Sequence, residues 1–286
     1  MDWSNKVVLI TGASSGIGRG LSFELARRGA SLGLLARGLE AGPPAAPANG
    51  EPAASNFAVE PSPRVRELAD EIRRDTETAP RAGHQRILAL GADVRDATGV
   101  RAAADRLRTE CGRIDVLIAN AGIGVAGDGA ELDAREVANV IGVNTLGAVN
   151  SVAAVLPEMI REGSGHLVVI SSLAAYRGLR KSAAYCASKA SVSAFFESVR
   201  VDLLDRGIDV SIIHPGFIKT PLTARRKGKM PFLMELDDGV AKILWAIERR
   251  KISYAFPWQL AMLARLGMIM PNFMYDWISR RVSFRE

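Results

Sequence analysis

Residues 6–10 (Lys-Val-Val-Leu-Ile) are a short, mostly apolar run that breaks into Thr11-Gly12-Ala13-Ser14-Ser15-Gly16-Ile17-Gly18, followed by apolar residues at helical spacing, Ile17, Leu21 and Leu25. Three glycines set between a strand and a helix restrict what this stretch can become. Glycine accepts positive φ angles and lets the backbone approach a ligand closely. The first N–H groups of the helix have no partner inside it and suit a phosphate. A merely tight turn would explain one or two of the glycines but not all three. Strand and helix patterns continue to alternate as far as Ile213, which predicts an α/β domain, a parallel sheet with helices on both faces. With 286 residues, 48% of them hydrophobic, the chain can bury one large core.

The second constraint is chemical. Tyr185-Cys186-Ala187-Ser188-Lys189 places a phenol and an ammonium four residues apart, on one face of a helix. Thirteen positions earlier stands Ser172, at the end of the apolar run that begins at His166. A phenol titrates near about 10 in water, and a close ammonium favours its ionised form. Such a tyrosine can trade a proton near neutral pH, and a serine at a strand end can hydrogen-bond the same substrate oxygen. The set suits moving a proton on and off an alcohol or ketone.

The Ser172, Tyr185 and Lys189 spacing resembles the active site of the short-chain dehydrogenase/reductase family, and further stretches resemble the family in order from Lys6 to Thr220. Gly12, Gly16 and Gly18 have the family's glycine spacing. The stretch ending Asp93-Val94 is similar to its third strand, where the pair packs around adenine. Asn120-Ala121-Gly122 resembles the turn beside the cofactor, with Ala119 where a second asparagine often stands. Asn144 matches the asparagine that completes the catalytic tetrad, and the resemblance implies that it shapes a helix and holds a water linking the lysine to solvent. Pro215-Gly216-Phe217-Ile218-Lys219-Thr220 resembles the stretch that meets the nicotinamide through the Ile218 backbone and the Thr220 hydroxyl.

The resemblance implies a Rossmann-type doubly wound sheet of about seven strands and an NAD(P)-dependent oxidoreductase. The expected cofactor contacts are Gly12, Ser14, Ser15, Gly16, Ile17, Gly18, Arg37, Asp93, Val94, Asn120, Ala121, Gly122, Tyr185, Lys189, Pro215, Gly216, Ile218 and Thr220, and the expected catalytic residues are Asn144, Ser172, Tyr185 and Lys189. NADP(H) is preferred over NAD(H). The second strand ends at Ala36-Arg37, with no acid to hold a ribose 2′-hydroxyl but a guanidinium suited to a 2′-phosphate. Ser15, where some NADP-dependent relatives carry a basic residue, adds nothing to that preference. In the implied reaction Tyr185 protonates the carbonyl oxygen while hydride reaches the carbon, Ser172 steadies the oxygen, and Lys189 holds the nicotinamide ribose. The alternatives are a non-catalytic NADP(H) sensor or scaffold and a membrane-peripheral lipid reductase.

Two segments depart from a minimal chain of this kind. Residues 41–63 hold six of the thirteen prolines, so an exposed, mobile insert is expected there. Residues 219–286 carry thirteen Lys/Arg against six Asp/Glu. Beside that charge, residues 253–286 are rich in Trp, Met, Phe and Leu, and we expect a helical extension covering the cleft and the sheet edge. Peripheral membrane contact or an oligomer interface is the functional alternative, and no uncharged span there is long enough to cross a bilayer. Residues 217–236 are expected to form a substrate lid whose apolar members, Leu222, Met230, Phe232, Leu233 and Met234, imply a hydrophobic carbonyl or alcohol substrate. Two cysteines, no leader before the first strand and three scattered histidines point to a cytoplasmic protein with no metal. Without a recognition motif the basic charge gives no reason to expect nucleic acid as a partner, and the resemblance implies a homodimer or homotetramer.

Overall fold

β1 (Val7–Thr11) is buried along its whole length, and its side chains alternate between two cores. Val8 and Ile10 point into one, Val7 and Leu9 into the other. A strand buried on both faces reads as a continuous apolar run, as this one does. After it come α1 (Gly16–Arg27), β2 (Ser31–Ala36), α2 (Pro63–Thr76), β3 (Ile87–Gly91), α3 (Ala97–Cys111), β4 (Val116–Ala119), α4 (Ala134–Ile141), α5 (Gly147–Glu162), β5 (Gly165–Ile170), α6 (Ala183–Asp202), β6 (Ile208–Pro215), α7 (Pro221–Ala224), α8 (Leu236–Glu248), β7 (Ser253–Phe256), α9 (Trp258–Ile269) and α10 (Asn272–Ser279). The structure, a computed structural model, describes residues 1–37, 60–77, 85–224 and 228–280.

The seven strands form one sheet in the order β3-β2-β1-β4-β5-β6-β7, every pair parallel. Helices α1, α2 and α8 cover one face through Leu21, Leu25, Leu68, Ile72, Val240 and Ile247. Helices α3, α5 and α6 cover the other through Leu107, Val152, Val155, Val192 and Phe196. Gly33 in β2 keeps α3 close, since a Cβ there would lie 2.6 Å from Leu107. From β1 the chain first winds outward to β3 and then crosses back to β4. That reversal opens a crevice beyond the carboxyl ends of β1 and β4, where an open α/β sheet holds its ligand.

α4 and α5 form one continuous helix joined by a π-helical segment, Gly142–Leu146. Residues 134–162 are apolar and long enough to pass for a membrane span, but 56% of the most apolar window is buried inside the protein. It is a core helix.

Three expectations are corrected. Pro63 belongs to α2, where it occupies the first turn of the helix, the position at which proline's missing N–H costs nothing. Most of the rest of the expected insert, residues 41–59, lies outside the described residues. The expected C-terminal helical extension begins with a strand, because residues 253–256 pair with Ile212–Pro215 as β7 and complete the sheet. In the expected lid, Met234 is a base rather than a free member. It bridges Ile218, exchanges backbone hydrogen bonds with Phe217 and Lys219, and packs on the core.

Candidate active site

The glycine turn is built by close approach. Gly12 has φ 67°, and a Cβ there would lie 2.8 Å from the Ala121 Cα. Gly16 has φ 54° and faces the Thr220 side chain. A Cβ on Gly18 would lie 2.3 Å from the Gly12 oxygen, so Gly18 closes the turn from behind and does not line the cleft. Each is a position where any side chain collides or strains the backbone. Asn120 ties the turn to β4: its Nδ2 donates to the carbonyls of Thr11 (2.9 Å) and Gly12 (3.2 Å). Thr11 Oγ1 in turn accepts from the backbone N–H of Asn120 and Ala121, both at 3.0 Å. The turn therefore leads into the first N–H groups of α1, where a pyrophosphate would sit.

A cleft of about 630 Å³ runs from this turn across the sheet end. Beside the ends of β2 and β3 it is lined by Ala36, Arg37, Ala92, Asp93 and Val94. The Asp93 carboxylate is gripped by Arg95, whose Nη2 lies 2.6 Å from Oδ2. Burial would raise its pKa, but hydrogen bonds from Arg95 and the nearby Arg37 charge outweigh burial and keep it below the usual carboxylate range. Asp93 is the sole acidic group among the described residues lining the cleft, against Arg37, Arg177, Arg180 and Lys189. The cavity is electropositive and suits an anionic ligand.

Ser172, Tyr185 and Lys189 also line the cleft. Ser172 ends the β5 run and accepts the Ala174 N–H (3.1 Å), capping a 3-10 turn over Leu173–Ala175. Tyr185 and Lys189 are both buried on α6, with the ammonium 5.9 Å from the centre of the phenol ring. Lys189 Nζ donates to the Ile170 carbonyl at 2.8 Å, and burial pushes its pKa down to about 8. Asn144 is buried just behind this group and does not line the cleft. Its Oδ1 accepts from Ile123 N (2.8 Å), and its Nδ2 donates to the Ile123 carbonyl and to Ser188 Oγ, both at 2.9 Å. A Cβ on Gly122 would stand 3.4 Å from Asn144 Oδ1 and 3.5 Å from Lys189 Nζ, so the three meet at one point. The π-helical segment turns Asn144 inward; such bulges are frequent at functional sites.

The other expected contacts, Ser14, Ser15, Ile17, Ala121, Pro215, Gly216, Ile218 and Thr220, also line the cleft. Thr220 abuts Gly16 and exchanges hydrogen bonds with Thr223. Of the expected lid, Leu222 and Pro231 line the cavity, whereas Phe232 and Leu233 are exposed and are not part of its wall.

Sequence reasoning missed three groups. Thr11 latches β1 to β4. His214, buried beside the Tyr176 ring, has Nδ1 3.4 Å from the Ser172 carbonyl, and burial pushes its pKa down to about 4. Arg177 donates to the carbonyls of Gly267 (2.7 Å) and Met270 (3.1 Å) and to Asn272 Oδ1 (2.8 Å), and it stacks on Tyr275. Tyr275 returns a hydrogen bond to Gly178 O at 2.5 Å. This clasp holds α9 and α10 over the cleft, where Leu260, Leu263, Met270 and Ile278 form its far wall. Only partners distant in sequence reveal it.

A sequence model described as short chain dehydrogenase matches residues 63–230. An uncharacterised oxidoreductase of Myxococcus xanthus is 39% identical over 281 residues, 98% of this chain and 99% of the relative. Among solved structures, a short-chain dehydrogenase from Sphingobium yanoikuyae in complex with NADPH is 28% identical with a TM-score of 0.71, covering 93% of this chain and 97% of the other. A short chain dehydrogenase/reductase from Burkholderia phymatum in complex with NAD superposes at a TM-score of 0.76 over 100% of this chain and 98% of its own, at 21% identity, a likeness of fold.

Proposed function

Since the chain belongs to the short-chain dehydrogenase/reductase family, and is therefore an oxidoreductase, we propose that it is an NADP(H)-dependent reductase of hydrophobic ketones, with Asn144, Ser172, Tyr185 and Lys189 as its catalytic group. The observation that carries this reading is the convergence of Ser172, Tyr185 and the buried Lys189 in one cleft beside a glycine cradle that a Cβ would fill. The residues present fit a dinucleotide. Gly12, Ser14, Ser15, Gly16 and Ile17 would hold the pyrophosphate, Asp93 and Val94 the adenine, and Asn120, Ala121, Gly122, Pro215, Gly216, Ile218 and Thr220 the nicotinamide half. When bound, the cofactor supplies hydride.

Arg37 would meet a 2′-phosphate, which favours NADP(H); the NADPH in the Sphingobium protein agrees with that. NAD(H) would leave Arg37 without its partner. Tyr185 gives its proton to the carbonyl oxygen, and the Ser172 hydroxyl holds that oxygen. Lys189 holds the ribose with its ammonium and lowers the cost of leaving Tyr185 as phenolate. Asn144 positions the backbone at Ile123 and Ser188 around Lys189. Leu179, Phe217, Leu222, Leu260, Leu263 and Ile278 make the substrate half apolar, which supports a lipid-, steroid- or acyl-like ketone, with residues 217–236 as the lid. Exposed Leu146, Ile160 and Val201 support assembly as a homodimer or homotetramer, and two free cysteines support a reducing, cytoplasmic setting.

The test is NADPH consumption across a panel of carbonyl compounds graded in hydrophobicity. The expected result is turnover that rises with the apolar character of the ketone. Tight NADPH binding without turnover of any panel member would replace the reading with that of a cofactor sensor.

A further inference from the structure

α9 is apolar around most of its circumference, interrupted by Gln259 and Arg265, a pattern close to that of a helix enclosed by protein or lipid, yet among its residues only Ala261 is buried. Leu260, Ala264 and Gly267 face the cleft. On the opposite side Trp258, Met262, Leu266 and Ile269 form a solvent-facing stripe at helical spacing, Ile269 being 79% exposed. α10, which follows directly, also exposes Phe273 (74%) and Trp277 (59%). Large apolar side chains exposed this densely mark an interaction site.

Its charge selects the occupant. Residues 249–280 hold Arg249, Arg250, Lys251, Arg265 and Arg280 against Asp276 alone. Arg250 pairs with Asp209, whereas neither the Arg265 nor the Arg280 side chain has an ion-pair partner among the described residues. Among the described residues, Arg265 is the one charged group in a shallow groove of about 480 Å³ walled by Trp258, Met262, Leu266 and Ile269. A second copy docked two-fold would set the patch against itself, bringing Arg265 and Arg280 of both copies to one interface with Asp276 the only acid of α9 and α10 to answer them. An anionic lipid surface answers both features, apolar side chains entering the acyl boundary and cations meeting phosphates. We propose that the exposed face of α9 and α10 docks onto an anionic membrane surface, with Ile269, Phe273 and the two tryptophans as anchors and Arg265 and Arg280 at the headgroups.

The experiment is flotation of the full chain with vesicles of phosphatidylcholine alone and of phosphatidylcholine mixed with phosphatidylglycerol, at low and high salt. The expected result is binding to the mixed vesicles, weakened by salt, with a blue shift in tryptophan emission. The double variant Ile269→Asp, Phe273→Asp should bind at least about ten-fold more weakly, with unchanged melting temperature and NADPH affinity, since neither side chain touches the core or the cleft. Absence of binding to either vesicle would overturn the proposal, as would undiminished binding by the double variant or equal binding to uncharged vesicles. A dimer that the double variant dissolves, with no vesicle binding, would assign the face to a second copy.

Discussion

In the proposed function, Arg37 is the residue that sets which dinucleotide the cleft prefers. The side chain stands at the C-terminal end of β2, exposed, with Asp93 near enough to feel its charge. In the Arg37→Asp variant a cation that would face a 2′-phosphate becomes an acid able to hold a 2′-hydroxyl. Loss of a charge-assisted contact costs about 1.5–3 kcal/mol, so NADPH affinity should drop roughly ten- to a hundred-fold while NADH affinity rises. Titration of both cofactors by fluorescence checks this, and equal NADPH affinity in the two proteins would make Arg37 an ordinary surface residue. The site residues legible in the sequence are those with a backbone or chemical requirement local to their own motif: the glycines, Ser172, Tyr185 and Lys189. Thr11 was not legible, because a threonine closing a strand is commonplace until the N–H groups of Asn120 and Ala121 are seen pointing at its oxygen.

Elements differ in how they are held, and the consequences differ accordingly. Arg177 joins the loop after β5 to the end of α9 and the start of α10 through three backbone carbonyls and Asn272. Its removal in Arg177→Ala should loosen the far wall of the cleft without touching the cofactor half. The expected outcome is a fall in kcat/KM for a hydrophobic ketone of about ten-fold or more, carried mostly by KM, with NADPH affinity unchanged. A chain ending at Ile252 loses β7, including Phe256 at 2% exposure, and leaves β6 as an open edge. Its melting temperature should fall sharply, because one buried side chain of that size contributes about 1.5–3 kcal/mol. Deleting residues 42–61 should leave melting and kcat almost unaltered, since halving a loop changes its closure entropy by only about 0.6 kcal/mol; lost activity would instead place that segment in the reaction. The alternation of β and α was plain from the pattern of apolar runs up to Ile213. β7 was hidden because Ser-Tyr-Ala-Phe is four residues long and runs straight into an apolar helix, where periodicity cannot separate strand from helix.

For the whole molecule, two buried histidines link stability to pH. His166 and His214 have pKa values pushed down by burial to about 3 and about 4, from the ordinary 6.5. Below 6.5 the unfolded chain takes up these two protons while the folded protein does not, so stability is lost as pH falls through the window from 6.5 to about 4. Each group contributes about 1.4 kcal/mol per pH unit to that slope, and denaturant melts of wild type, His166→Gln and His214→Gln across the window should show each variant with a flatter slope. The proposed reduction needs one thing above all, a proton moved through Tyr185. Steady-state reduction of a hydrophobic ketone by NADPH, compared between wild type and Tyr185→Phe, tests this most directly. The expected kcat of the variant is lower by at least about a hundred-fold, with NADPH affinity nearly unchanged, because only the transferable proton is removed. A variant retaining more than about a tenth of the wild-type kcat would contradict that role of Tyr185.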